Sequence, residues 1–113
     1  MEKPTPEEIA LLHDRFCSAI NDPTRLRLIY ELAAGPQYVS RLVKALELPQ
    51  GTVSRHLRIL RDHGVVSARR KGNRVLYELV DSRVIDVIDL LRVMLTDLLD
   101  RQGATAGRIR PAN

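Results

Sequence analysis

The 113 residues are 44% hydrophobic and 28% charged, which fits one globular domain and is too apolar for wholesale disorder. A single cysteine excludes an intrachain disulfide framework and a four-cysteine zinc site, and no run approaches the roughly 20 apolar residues of a bilayer span. The formal net charge is +4, but residues 55–74 hold seven cations against Asp62 alone while residues 75–102 hold six carboxylates against three arginines, a separation suited to one polyanion-binding face.

Residues 1–5 read as a flexible arm, and Met1-Glu2-Lys3-Pro4 lacks the apolar core of a signal peptide, so a cytoplasmic location without membrane contact is expected. A helix is predicted from Pro6 to about Ile20, with Ile9, Leu12, Phe16, Cys17 and Ile20 as one buried stripe. Thr5 caps it, and Glu7 and Glu8 complement its positive end. Asp22-Pro23 restarts the chain as N-cap and first helical residue, and a second helix runs to about Ala34 with Leu26, Ile29, Leu32 and Ala33 inward. Gly35-Pro36 stops it. A short third helix carries Val39, Leu42, Val43 and Leu46. A fourth, from about Gly51 to His63, turns Val53, Leu57 and Leu60 inward and ends at Gly64. The period then changes to two: strands over 65–71 and 74–80 flank a Gly72-Asn73 turn. A long helix follows from Asp81 to about Arg101, and a disordered tail is expected over 103–113.

Two short helices joined by a tight turn and followed by a hairpin describe a winged helix-turn-helix, mainly α with a small β-hairpin, in the order α-α-α-α-β-β-α over residues 6–102. In such a domain the second helix of the pair enters the DNA major groove. Gln50, Thr52, Ser54 and Arg55 near its start suit base edges, and His56 is counted with this set. Arg58 and Arg61 reach phosphates, and Gly51 leaves room for close backbone approach. The hairpin tip, with Arg69, Arg70, Lys71, Asn73 and Arg74, lies along the backbone or in the minor groove. The alternative use of those cations is to keep the strand edge from pairing with other molecules. The last helix has an apolar stripe, Val84 through Leu99, too broad for one neighbouring helix. Self-association is its economical use, because a two-fold dimer sets two reading helices at half-sites about one DNA turn apart, roughly 34–36 Å.

These residues resemble the ArsR/SmtB family of bacterial winged-helix repressors. The resemblance rests on Ala19-Ile20-Asn21-Asp22-Pro23-Thr24-Arg25-Leu26-Arg27-Leu28-Ile29, on the run from Thr52 to Arg61 with Gly64-Val65-Val66, and on the run from Arg70 to Tyr77. It covers about residues 9–100. It implies a homodimer paired through the first and last helices, which places Ile9, Leu12, Phe16, Val84, Ile88, Leu91, Leu95 and Leu98 at the interface. It also implies binding to a promoter operator, an imperfect palindrome of double-stranded DNA, and repression until an inducer (metal, redox or sulfur species) weakens the complex. The family's soft-metal site falls on Tyr38 and Ser40, and its second metal site on Asp81, Arg83, Met94 and Asp97. Tyr38, Ser40, Arg83 and Met94 lack ligand types suited to those sites, so no cofactor is expected.

Cys17 and His13 form an i, i+4 pair that could share one ion, or Cys17 serves as a thiol sensor, but its place on the apolar stripe favours simple packing. No glycine-rich phosphate loop, metal cluster or nucleophile–base motif points to an enzyme. The competing reading is a winged-helix protein-interaction module without specific DNA binding.

Overall fold

The computed structural model describes residues 2–103 and divides after Asp81 into two compact units where the sequence predicted one domain. The tail expected over 103–113 lies, beyond Gly103, outside the described residues.

In the first unit, α1 (Pro6–Leu12) starts at Thr5, whose hydroxyl accepts from the Glu8 N–H at 3.1 Å. The chain then widens into a π-helical stretch, His13–Cys17, and closes with an α-turn, Ser18–Ile20. Helix α2 (Pro23–Leu32) is capped by Asp22, whose carboxylate accepts from the Thr24 and Arg25 N–H groups at 2.8 and 3.2 Å. Its inward residues include Leu28, Ile29 and Leu32, whereas Ala33, expected inside, is exposed. The two-residue strand β1 (Gln37–Tyr38) leads directly into α3 (Val39–Leu46). That helix ends on Glu47, whose φ of 55° makes it the only non-glycine residue in the left-handed region among those described. The Arg27 guanidinium donates to the Leu46 carbonyl at 3.2 Å, supporting the same helix end from α2.

Helix α4 (Gln50–Asp62) buries Val53, Leu57 and Leu60 completely. It ends in a Schellman motif: the Gly64 N–H donates to the Arg61 carbonyl and the Val65 N–H to the Leu60 carbonyl, with Gly64 at φ 84°. Strands β2 (Val66–Lys71) and β3 (Arg74–Leu79) form the hairpin, with Lys71 opposite Arg74 across a turn in which Gly72 takes φ 65°. β1 pairs antiparallel with β3, Tyr38 opposite Leu76, giving the sheet order β1-β3-β2. The hairpin is thereby tied to the entry of α3. Leu28, Ile29, Leu42, Val53, Leu57, Leu60 and Val66 form the innermost core, each contributing about 1.5–3 kcal/mol by leaving water.

Among its described residues the second unit consists of one helix, α5 (Arg83–Arg101). No helix of the described residues is long and apolar enough to cross a membrane.

Candidate nucleic-acid interface

The helical period of α4 separates its two faces cleanly. With Val53, Leu57 and Leu60 inside, Gln50, Arg55, Arg58 and Arg61 are exposed, and Thr52 and Ser54 are half-buried at the rim. No side chain caps the helix start, where Pro49 leads in. A Cβ built on Gly51 meets nothing within 4 Å, so this glycine answers no packing need within the chain.

His56 departs from the expected set. It is only 6% exposed and lies on the inward stripe between Val53 and Leu57, where no DNA edge reaches it. Its Nδ1 accepts from Arg25 Nη1 at 3.0 Å and stands 3.9 Å from Asp22 Oδ1. Because an arginine only donates, Nδ1 is the unprotonated nitrogen of a neutral ring. Burial lowers the His56 pKa, the nearby Asp22 carboxylate opposes that shift, and Arg55 and Arg25 add to it. At Asp22, burial favours protonation but is outweighed by the N–H bonds from Arg25 and Thr24 and by the charge of Arg25, so the carboxyl is held below its usual range.

Arg25 is itself buried and makes four hydrogen bonds. Nε donates to the Ala19 carbonyl at 2.6 Å, Nη2 to the Ser18 carbonyl at 3.3 Å and Asn21 Oδ1 at 3.1 Å, and Nη1 to His56. Residue spacing alone held the clue to both groups: Arg25 shares a helix face with Leu28, Ile29 and Leu32, and His56 with Val53 and Leu60. A polar residue on an otherwise apolar stripe needs an internal partner, and each is the other's.

In the wing, Arg69, Arg70, Lys71, Asn73 and Arg74 are all exposed. Arg69 stands 3.9 Å from Glu78 on the neighbouring strand. The Arg74 guanidinium lies over the Tyr38 ring, 3.6 Å from its centroid. An open groove of about 340 Å³ runs between the start of α4 and the turn of the wing, lined by Gln50 and Ser54 from α4 and by Asn73 and Arg74 from the wing, with Val39, Val75 and Tyr77 adding apolar lining. Helix α4 and the wing, separate in sequence, thus border one groove.

The stripe expected to be buried along the first helix is bare in the single chain: Ile9, Leu12 and Phe16 are each about half exposed. Cys17 is also exposed, contrary to its expected packing role, as is His13. In α5, Leu91, Leu95 and Leu98 are exposed, Val84 is half-buried, and Ile88 is buried within the chain itself. Among the described residues no three His, Cys, Asp or Glu side chains come together to hold a metal. Tyr38 and Ser40 do not fit a soft-metal site either, since neither is a thiolate and the Tyr38 ring is covered by a cation.

A family model described as bacterial regulatory protein, arsR family, matches residues 22–68, from the α2 cap into β2. The chain is 36% identical over 85 residues to the HTH-type transcriptional repressor SmtB of Mycobacterium tuberculosis, a match that takes in 75% of this chain and 63% of that protein's length. It is 42% identical over 74 residues to an HTH-type transcriptional regulator of Methanocaldococcus jannaschii, covering 65% of this chain and 83% of the relative. Among solved structures, the homodimeric winged helix-turn-helix DNA-binding domain Mb0332 of Mycobacterium bovis superposes with a TM-score of 0.72 at 28% identity, covering 89% of this chain and 95% of that one. The family model takes in the stretch from the Asp22-Pro23 entry of α2 to the start of β2, the solved structure matches the fold over 89% of the chain, and the chain belongs to the ArsR family of bacterial regulatory proteins.

Proposed function

We propose that this protein is a cytoplasmic transcriptional repressor that binds operator DNA as a homodimer and does no catalysis. The observation that carries the reading is the shared groove: the start of α4 and the turn of the wing border it together, and each of the two elements carries exposed arginines. Gln50, Thr52, Ser54 and Arg55 read base edges; Arg58, Arg61 and the wing residues Arg69, Arg70, Lys71, Asn73 and Arg74 hold the backbone. His56 takes no part in contact and fixes the pose of α4 from inside.

Pairing through the bare faces of the first helix and α5 doubles the reading head. A two-fold axis then matches an imperfectly palindromic operator. Ile9, Leu12, Phe16, Leu91, Leu95 and Leu98 lie in the contact, with Val84 at its edge. An inducer (metal, redox or sulfur species) would act on that dimer, and exposed Cys17 with His13 is the place to look for it.

The test is titration of the purified protein with a duplex from upstream of its own gene and with a random duplex of equal length, across a salt series. Preference for the first, with affinity falling steeply as salt rises, is the expected result. Equal and weak binding to both overturns the repressor reading in favour of a protein-interaction module.

A further inference from the structure

We propose that Tyr38 is a positioning residue for DNA binding: its ring holds the Arg74 guanidinium at the edge of the groove between α4 and the wing, and that groove seats one phosphate of the duplex backbone. The inference deepens the DNA-binding reading and rests on it.

Three features of the first unit carry it. Tyr38 is fixed by the backbone, since β1 pairs with β3 at Tyr38–Leu76 and continues straight into α3. Arg74, at the start of β3, is otherwise an exposed side chain at a hairpin tip, where rotamer freedom opposes any specific contact. The 3.6 Å stack removes that freedom by using one flat face of the guanidinium. Stacking leaves the in-plane N–H donors to bond an anion, the forked geometry that suits phosphate oxygens.

Location selects the ligand. When α4 lies in a major groove and the wing reaches the adjacent minor groove, the strand between them is a sugar–phosphate backbone. The groove bordered by Gln50 and Ser54 of α4 and by Asn73 and Arg74 of the wing lies between those two elements, and so would meet that strand. At the wing edge of the groove, Asn73 and the single oriented cation of Arg74 suit one singly charged phosphodiester, while Gln50 and Ser54 on the opposite wall stay free for base edges. A contact to backbone carries no sequence preference.

The experiment compares wild type, Tyr38→Phe, Tyr38→Leu, Arg74→Ala and the Tyr38→Leu/Arg74→Ala pair on both duplexes over a salt series. Tyr38→Leu should lose about two- to five-fold in affinity, the worth of an exposed cation–aromatic stack, equally on both duplexes. The slope of log affinity against log salt should flatten by about 0.9 for each bound subunit. Tyr38→Phe keeps the ring and should behave as wild type. The double variant should bind no worse than Arg74→Ala alone, because the tyrosine acts only through the arginine.

Additive losses, a Tyr38→Leu variant with unchanged affinity and slope, or a loss confined to the promoter duplex each overturn the proposal. A readout without DNA separates its failure from that of the DNA-binding reading. Ring currents should move the Arg74 side-chain protons upfield in the free wild type and in Tyr38→Phe, and not in Tyr38→Leu. Absence of that shift in the wild type removes the clasp whatever the DNA result. Failure of the wild type to bind either duplex removes the DNA-binding reading itself and, with it, the phosphate seat.

Discussion

Helices α4 and α5 are both amphipathic, yet they treat their apolar residues in opposite ways. Over 13 residues α4 brings Val53, Leu57 and Leu60 to zero exposure and turns arginines outward. Over 19 residues α5 buries only Ile88 and leaves Val87, Leu90, Leu91, Val93, Met94, Leu95 and Leu98 bare. The first kind of helix is finished within its own chain, so its outer face is available for a ligand chosen by charge. The second is unfinished, because an apolar face of that extent is stable in water only once something covers it. Charge on a completed helix points to nucleic acid, and bareness on an incomplete one points to a partner subunit.

The sharpest way to break the contrast is Leu91→Asp. Leu91 is 49% exposed in the single chain, so aspartate there should leave the protomer folded and prevent pairing, read as a monomer by sedimentation. Operator affinity should drop by at least about 100-fold, because two linked reading heads bind far better than one. A variant that remains a dimer would show that α5 is not the pairing surface.

On the other helix, Arg55→Ala should cost about 1–3 kcal/mol on the operator and much less on random duplex, if the side chain reads a base. Equal losses on both would assign Arg55 to the backbone instead.

Acid probes the inside of α4. His56 is neutral in the fold with its pKa lowered, so above about pH 6.5 it adds no pH dependence to stability. As pH falls below that value the unfolded chain takes up a proton that the folded one refuses. Stability should therefore fall with a slope of at most about 1.4 kcal/mol per pH unit until the folded ring also protonates. Asp22 adds a second loss at lower pH, below the ordinary carboxylate range, because its own folded pKa is depressed. Denaturant titrations at a series of pH values measure both, and His56→Gln should remove the first step. A flat profile from pH 7 to 5 would mean that His56 is not held neutral.

Gly51→Ala should have the smallest effect, and one of opposite sign in the two assays. With open space at the Cβ position, alanine should raise stability by up to about 1 kcal/mol through helix propensity. It should still weaken operator binding if the backbone there approaches DNA closely. Unchanged binding would make Gly51 incidental.

Elements whose pattern is complete within a few residues were legible in the sequence. The caps Thr5 and Asp22, the apolar spacing of α4 and the glycines at 64 and 72 signal through chemistry that acts over four or five positions. The unread features depend on distant partners. Two residues are too short to show alternation, so β1 became visible only through its pairing with β3. The π-helical stretch at His13–Cys17 left no mark in the apolar spacing, which predicted one continuous α-helix. Counting His56 with the DNA-facing set follows its place in the run of the helix, whereas its helical register with Val53 and Leu60 puts it inside. Cys17 was assigned to the core because an apolar stripe says that a face wants cover without saying which chain supplies it.

Arg25 gives the architecture a single fastening point. One guanidinium grips the last turn of the segment that leads out of the first helix and, through His56, the reading helix as well. Those two parts cannot shift independently while its bonds hold. A lysine there would keep the charge but, with one compact ammonium in place of a planar fork, could not hold acceptors spread around a plane. The substitution most conservative on paper would uncouple the bare first helix from α4.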